Sequence, residues 1–254
     1  MKLQHCAWPE IEAYLRGSTA IIIPIGSTEQ HGPTGFLGTD ALCPEVLAEG
    51  IGERCGALIA PTLSIGMAQH HLGFPGSITL RPTTLIAVVQ DVVNSLARHG
   101  FDRFFFLNGH GGNIASVTAA FSEIYAESSL GTASGNRPPL RCRLHNWWDV
   151  PGVKRLSSEV FGADEGSHAT CSEVSLTYHA FPEAGQRLAA AGNALTPGRA
   201  PNGPIRDADD YRHRFADGRI GSDPRKASAE AGARLYETAV TELSEVWKRF
   251  AVED

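Results

Sequence analysis

The chain has 254 residues, of which 42% are hydrophobic and 20% charged, and its 28 acidic and 22 basic residues give a formal net charge of −6. This is the composition of an ordinary globular protein whose length suffices for one large core, so we expect a single domain over residues 1–254. The acidic balance disfavours a nucleic-acid partner, and no apolar run reaches the ~18 residues of a membrane span, so we expect a cytoplasmic protein without a membrane partner.

Short apolar runs alternate along the chain with longer segments of helical period, which predicts a layered α/β fold with a mainly parallel sheet. In chain order the elements are helix Pro9–Arg16, strand Thr19–Ile25, helix Asp40–Cys55, strand Ala57–Thr62, helix Thr83–His99, strand Arg103–Asn108, helix Asn113–Glu127, strand Arg141–His145 and helix Ala169–Ala180. The four strands are apolar enough to be covered on both faces, so we expect all of them to be central strands.

Two stretches rich in Pro and Gly are predicted to be loops, residues 129–139 and the long connector 196–224. A connector of that length is often functional or forms an interface arm. The following segment, Pro224 to Phe250, is predicted to be an amphipathic helix that closes the fold against the sheet. Its apolar residues at helical spacing are Leu235, Ala239, Leu243, Val246, Trp247 and Phe250.

The stretch GSTEQHGPTGFLGTD, residues 26–40, follows the first predicted strand and holds three metal-capable side chains. Residues two apart in extended backbone face the same side, so we expect Glu29 and His31 to project together while Gln30 turns away. Asp40 can fold back across the Gly-rich turn. Ligand sites in open α/β sheets lie beyond the carboxyl ends of the strands, where this stretch begins. The alternative is a solvated loop with Asp40 as a helix cap.

Two further motifs carry candidate ligands. FFFLNGHGGN, residues 104–113, places His110 after another buried strand, at the same level as the first motif. DEGSHATCSEVS, residues 164–175, places His168 at the start of a helix and Glu173 inside it, so that both can point toward the strand ends. The alternative for this third motif is a helix cap followed by an exposed Glu.

Together the three motifs supply two imidazoles and three carboxylates, from Glu29, His31, Asp40, His110 and Glu173. The five cysteines are scattered and never form CxxC, which predicts reduced thiols and excludes a thiolate zinc site. An oxygen-rich set suits two divalent ions such as Zn, Mn or Fe, which can share a bridging water, lower its pKa to about 7 and polarise a carbonyl. Hydrolysis is the reaction this chemistry predicts.

A function without a metal is an alternative interpretation of the same residues. Backbone N–H groups in the Gly-rich turn before the predicted helix Asn113–Glu127 can hold an anion, which would make the protein a binder of phosphorylated metabolites. The turn lacks the Lys and the spacing of a P-loop. HGG is also found in the oxyanion loop of lipase-like hydrolases, but the chain contains no GxSxG.

Four blocks, PIGSTEQHGP…TD, HLGFPG (residues 71–76), NGHGGN and the HA…E run from His168 to Glu173, resemble in order and type the signature blocks of the creatininase (creatinine amidohydrolase) family. The resemblance covers residues 24–175. It implies a three-layer α/β/α sandwich, often assembled as a homohexamer, with a binuclear metal centre that hydrolyses cyclic amides or related C–N bonds of small molecules by a metal-bridging hydroxide. A lactone or cyclic-ketone hydrolase on the same metal site is the alternative.

By position, the resemblance implies that Glu29 and His31 each hold one metal, Asp40 bridges, His110 joins one ion and Glu173 completes the set. It makes His168 the acid/base or substrate-polarising residue, so that His168 and Glu173 are the catalytic candidates. Trp148 matches an aromatic position that flanks substrate. The remaining substrate-binding candidates are His71 and Gly111.

The sequence departs from the family pattern at three positions. Thr34 stands where a His is common, and Thr170 replaces the Gly usual after HA. Creatininases proper carry a carboxylate where this chain has Gly112, so the corresponding ligand must come from Glu173. This third departure argues against creatinine as the substrate.

Overall fold

The computed structural model describes residues 1–131 and 139–253, and its centre is a parallel sheet of three strands. The strands are β1 (Ala20–Ile25), β2 (Arg103–Asn108) and β3 (Arg141–Asn146), in the order β1-β2-β3. Ile22 lies beside Phe105, and Phe105 lies beside Arg143. Each strand therefore ends at the same edge of the sheet.

Helices cover both faces of the sheet. The α-helices are α1 (Trp8–Leu15), α2 (Thr39–Cys55), α3 (Pro82–Ala97), α4 (Asn113–Ser129), α5 (Pro151–Val160), α6 (Cys171–Ala180), α7 (Pro182–Gly192), α8 (Ala208–Arg214) and α9 (Ala229–Val252). Ile22 and Phe105 pack with α2, α5, α6 and α9, whereas Ile21 and Phe104 pack with α1, α3 and α4. This alternation of buried side chains confirms the three-layer α/β/α sandwich. None of the described helices is long and apolar enough to cross a bilayer.

The predicted strand Ala57–Thr62 is not a regular strand. It runs beside β1 and makes isolated bridges, with Ala60 N donating to Ile22 O at 2.8 Å and Leu63 N donating to Pro24 O at 2.9 Å. Pro24 has no N–H, so the ladder loses a bond between these two points. The pairing also slips by one residue, from Ile22 beside Ile59 to Ile25 beside Leu63. Pro24 thus interrupts the hydrogen bonding along this edge of β1.

β3 is an edge strand, so the prediction of four central strands is wrong for it. All six of its residues are only partly buried. Its two arginines, Arg141 and Arg143, hydrogen-bond to Glu253, the residue that follows α9. Charged side chains at alternate positions are typical of an edge that faces solvent.

Several helix bounds differ from the prediction, and three helices were not predicted. The closing helix begins at Ala229 and not Pro224, because Ser228 is extended and its side chain caps the helix by accepting from Ala231 N at 3.1 Å. Helices α5, α7 and α8 were missed, and α8 lies inside the connector 196–224 predicted to be a loop. The loop prediction for 129–139 falls largely on residues 132–138, which lie outside the described part of the chain.

Candidate metal centre and active site

The carboxyl ends of β1 and β2 bring the first two motifs together. Glu29 follows β1, His110 follows β2, and Asp40 lies in the first turn of α2. Nε2 of His31 is 2.9 Å from Oδ1 of Asp40, and Nδ1 of His110 is 2.8 Å from Oδ2 of the same carboxylate. Nε2 of His110 is 3.3 Å from Oε2 of Glu29. All four side chains are buried.

Glu173 joins this cluster from the first turn of α6. Its Oε1 lies 3.8 Å from Nε2 of His31. The ligand atoms of these five side chains form two compact groups, Glu29 with Asp40 and His110, and His31 with Asp40 and Glu173, within each of which the atoms lie no more than 4.8 Å apart. Asp40 belongs to both of these groups. A third group of the same size joins Glu29 and His31 with His168 and does not contain Asp40. The five side chains thus meet at one edge of the sheet.

The imidazoles of His31 and His110 are held as metal ligands usually are. Nδ1 of His31 lies 3.1 Å from the carbonyl oxygen of Glu29, and Nε2 of His110 lies 3.0 Å from the carbonyl oxygen of Met67. A carbonyl only accepts, so these nitrogens carry the protons when the rings are neutral. The other nitrogen of each ring then turns its lone pair toward Asp40. A cation between lone pair and carboxylate satisfies both.

Unpaired carboxylate oxygens support the same reading. Within the described residues, both carboxylate oxygens of Glu29 and Oδ2 of Asp40 are buried and accept no hydrogen bond of good geometry. Each of these oxygens faces an imidazole nitrogen at 2.8 to 3.3 Å without forming such a hydrogen bond, and a buried carboxylate that lacks hydrogen bonds is costly. Two ligand atoms about 2 Å from one tetrahedral ion lie about 3.3 Å apart, close to the O···N separations seen here. The donors therefore fit divalent cations.

The cluster shifts the pKa of each member. Burial acts to lower the pKa of His31, but the Asp40 carboxylate outweighs it and raises that pKa to about 10. Burial also acts to lower the pKa of His110, but the carboxylates of Glu29 and Asp40 outweigh it and raise that pKa to about 9. The two imidazoles in turn hold the pKa of Asp40 well below its usual range, against the effect of burial. Burial raises the pKa of Glu29, and raises that of Glu173 to about 7.

A strained turn brings His168 and Glu173 to the cluster together. Ala169 has a positive φ of 51° and Thr170 is extended, so α6 begins at Cys171 and not at the predicted Ala169. Thr170 and Glu173 form a capping box, in which Thr170 N donates to Oε1 of Glu173 at 2.5 Å. Glu173 therefore lies in the first turn, not one and a half turns inside. Nδ1 of His168 is 3.9 Å from Oε1 of Glu29.

A cavity of about 680 Å³ opens onto this cluster. Its walls include the substrate-binding candidates His71, Trp148 and Gly111. His71 is almost fully buried, and its ring faces Gln30 and Glu29, with Nε2 3.0 Å from Oε1 of Glu29. Burial and the neighbouring imidazoles lower the pKa of His71 to about 2. All three candidates line the cavity, and their roles in binding a substrate stay predictions.

The two glycines of NGHGGN have different surroundings. A Cβ at Gly111 would meet nothing within 4 Å, whereas a Cβ at Gly112 would overlap Nε2 of His110 and the carbonyl oxygen of Met67. No side chain fits at Gly112 without moving His110. The third carboxylate of the cluster accordingly comes from Glu173.

Two residues of the site were not identified from the sequence. Gln30, expected to turn away, is buried, and its Nε2 lies 2.9 Å from both Nδ1 of His71 and Nε2 of His168. Tyr211 of α8 is fully buried against these rings, and its hydroxyl lies 3.3 Å from Nε2 of Gln30. Alternation in an extended segment misplaces Gln30 because β1 ends at Ile25 and the chain turns at residues 32–35. The acidic residues beginning α8 were the available signal for that helix.

The cysteines behave as predicted. All five are free, and Sγ of Cys171, the one near the cluster, lies 3.1 Å from the carbonyl oxygens of both Asp164 and Asp223, to either of which it can donate its proton. Burial raises the pKa of Cys171 to about 12. It is therefore a buried thiol without nucleophilic character.

The creatininase family, described as creatinine amidohydrolase, matches residues 4–247. The chain belongs to the creatininase family. It is 38% identical over 186 residues to creatinine amidohydrolase of Pseudomonas putida, covering 69% of this chain and 70% of that relative. It is 33% identical over 132 residues to the mycofactocin precursor peptide peptidase of Mycobacterium ulcerans, covering 46% of this chain and 52% of that relative.

Another relative is the 3-dehydro-scyllo-inosose hydrolase of Thermotoga maritima, 29% identical over 185 residues, covering 71% of this chain and 56% of that protein. Among solved structures, a creatinine amidohydrolase superposes with a TM-score of 0.84 at 23% identity, covering 100% of this chain and 98% of that one. A manganese form of creatininase superposes with a TM-score of 0.83 at 23% identity, covering 99% and 98%. These likenesses confirm the creatininase fold of this family member.

Proposed function

We propose that this protein is a metal-dependent amidohydrolase that binds two divalent ions, Zn, Mn or Fe, and hydrolyses a C–N bond of a small molecule. The observation that carries the proposal is the position of Asp40, whose two oxygens face two separate groups of ligand atoms. A carboxylate shared in this way is the geometry of a two-ion centre.

Glu29 and His110 would hold one ion with Asp40, and His31 and Glu173 would hold the other. Ions bound there supply Lewis-acid polarisation of a substrate carbonyl and lower the pKa of water. The chain's own residues orient these ligands through the carbonyl groups of Glu29 and Met67. Burial of the cluster excludes bulk water, which strengthens each electrostatic contact.

His168 is proposed to move the proton that amide cleavage requires. Its ring lies at the wall of the cavity, beside the ligand group that contains Glu29. A neutral imidazole there accepts a proton as the carbonyl is attacked and returns it to the leaving nitrogen. Trp148 and Gly111 would border the substrate.

A second candidate, hydrolysis of a cyclic ketone or lactone on the same metal site, is supported by the likeness to the Thermotoga maritima hydrolase. The likeness to the peptide peptidase makes a peptide bond a further substrate class. Gly112 stands where creatininases proper have a carboxylate, which disfavours creatinine itself. The cavity of about 680 Å³ suits a small molecule or a short peptide end.

Metal analysis and a turnover screen test the proposal. We expect about two divalent ions per chain, and turnover of at least one cyclic amide, formamide, short peptide or cyclic ketone by the Zn- or Mn-loaded protein, lost on chelation. His168→Gln should keep the metal content and lose turnover, because its ring is proposed to move a proton and not to hold an ion. Absence of metal together with tight binding of inorganic phosphate would instead favour the metal-free binder.

The assembly and location also remain proposals. We propose a cytoplasmic homo-oligomer, a homohexamer by family resemblance, with neither nucleic acid nor membrane as partner. Light scattering of the purified chain measures the oligomer directly, and a monomeric mass would contradict it.

A further inference from the structure

The side-chain amide of Gln30 can be oriented without ambiguity. Its Oε1 lies 2.8 Å from the backbone N of Gly32, which only donates, and its Nε2 lies 2.9 Å from the carbonyl oxygen of Gly218, which only accepts. A flipped amide would place donor against donor and acceptor against acceptor. The NH2 group of Gln30 therefore points into the cluster of imidazoles.

The two protons of this amide decide the tautomer of His71. Three polar atoms in addition to the Gly218 carbonyl oxygen surround Nε2 of Gln30: Nδ1 of His71, Nε2 of His168 and the Tyr211 hydroxyl oxygen. One proton goes to Gly218. The other goes to His71 at 2.9 Å, because Nε2 of His168 carries its own proton toward the carbonyl oxygen of Gln30 at 2.8 Å. Nδ1 of His71 is then an acceptor, so that ring carries its proton on Nε2, facing Glu29.

The backbone of Gln30 decides the tautomer of His168. Nε2 of His168 lies 2.8 Å from the carbonyl oxygen of Gln30. If that nitrogen were unprotonated, two lone pairs would face each other at hydrogen-bond distance. A proton on Nε2 turns the contact into a hydrogen bond, and leaves the lone pair of the ring on Nδ1.

We infer that Gln30 is a positioning residue that holds His168 as the Nε2–H tautomer, so that Nδ1 is the atom that exchanges a proton with the substrate. Nδ1 lies 3.9 Å from Oε1 of Glu29, on the side of the ligand cluster. That separation is longer than the 2.8 to 3.3 Å at which His110 approaches its two carboxylates. This inference rests on the role proposed for His168 above.

The connector 196–224 locks this arrangement. The Tyr211 hydroxyl donates to the carbonyl oxygen of Gly218 at 2.6 Å, and Ile220 N donates to the carbonyl oxygen of His168 at 3.3 Å. Gly218 has a φ of +86°, and a Cβ there would overlap the Gln30 amide. The connector therefore acts as a wall of the site, holding Gln30 from one side and the His168 backbone from the other.

Nitrogen NMR of the zinc-loaded protein with ¹⁵N-labelled histidine tests the tautomer directly. The spectrum of His168→Gln identifies the His168 signals by their absence. We expect a proton-bearing Nε2 and a proton-free Nδ1 on His168 near neutral pH, and a proton on Nε2 of His71. A proton on Nδ1 of His168 would overturn the inference, whatever the substrate proves to be.

Kinetics of Gln30→Met test the positioning role, because Met keeps the length of the side chain and removes the amide bonds to Gly32 N and Gly218 O that hold the Gln30 carbonyl oxygen against His168. We expect kcat to fall about 10- to 100-fold at unchanged metal content, with KM little changed. Gln69→Met, at an exposed Gln outside the cluster, is the matched control and should behave as the native chain. Native kcat in a folded Gln30→Met protein would refute the positioning role while leaving the hydrolase proposal intact. If Gln30→Met does not fold, the NMR measurement on the native chain still decides.

Discussion

Oδ1 of Asp40 lies 2.9 Å from Nε2 of His31, while the other oxygen of the same carboxylate faces His110 at 2.8 Å. One side chain thus joins two groups of ligand atoms that come from different segments of the chain. The consequences for metal content differ between a shared ligand and an unshared one.

Asp40→Asn should remove both ions, because it takes the shared charge from each group. Glu173→Gln should remove only one, because Glu173 belongs to one of the two groups that contain Asp40. We expect metal contents of near zero and about one per chain, measured by elemental analysis after desalting, against about two in the native chain.

The control for this series is Asp91→Asn, at an exposed carboxylate on α3. It should keep the native metal content. Full metal content in Asp40→Asn, with circular dichroism showing a native fold, would contradict the shared-ligand geometry.

Gly112→Ala should disrupt the site, because its new Cβ overlaps Nε2 of His110 and the Met67 carbonyl oxygen, the hydrogen bond that orients that ring. We expect a loss of metal affinity of about 10- to 100-fold, the usual effect of disturbing an orienting contact, measured by competition with a chelating dye. Gly111→Ala is the matched control, since its Cβ meets nothing within 4 Å. Equal metal affinity in the two variants would refute this account of Gly112.

The two adjacent tryptophans should respond differently to truncation. Trp147 is 1% exposed and packs in the core with α5 and α9, so Trp147→Ala should cost about 3–5 kcal/mol in the free energy of unfolding. Trp148 is only partly buried and borders the cavity, so Trp148→Ala should chiefly raise KM. Urea denaturation and steady-state kinetics separate the two effects. A larger stability loss for Trp148→Ala would show that its ring is mainly a core residue.

Much of this site could be predicted from the sequence because of where parallel strands end. β1 and β2 are continuous buried runs, and their carboxyl ends must meet at one edge, which predicts that Glu29 and His110 lie close together. The contribution of Glu173 could be expected from the motif resemblance but not from helical spacing. Its placement depends on the positive φ of Ala169, and an alanine in the sequence does not predict that left-handed conformation.

The connector could not be assigned from the sequence for a different reason. Gln30 contacts Tyr211 and Gly218 across 181 and 188 positions of chain, and no local pattern encodes a pairing at that distance. The effect of Pro24 could be predicted only in part. The sequence shows that Pro24 lacks an N–H, but which edge of β1 loses a hydrogen bond depends on the order of the strands.

The pKa values of the cluster predict that metal binding strengthens with pH. Without metal, His31 and His110 have pKa values of about 10 and about 9, above the ordinary 6.5, so both are protonated near neutral pH and pair with Asp40. That pairing stabilises the metal-free fold fully below pH 6.5 and is lost as the pH rises through about 9 to 10. A metal needs both rings neutral, so it must displace these protons.

The gain in Tm on adding zinc should therefore grow between about pH 6 and about pH 9, since metal competes with fewer protons while the metal-free fold loses its ion pairs. Glu173, with a pKa of about 7, acts in the same direction, because it too must lose a proton to bind. Differential scanning calorimetry with and without zinc measures the shift at each pH. Asp40→Asn, which should bind no metal, sets the baseline. A zinc-induced shift that is flat or falls with rising pH would show that protons do not occupy the metal positions.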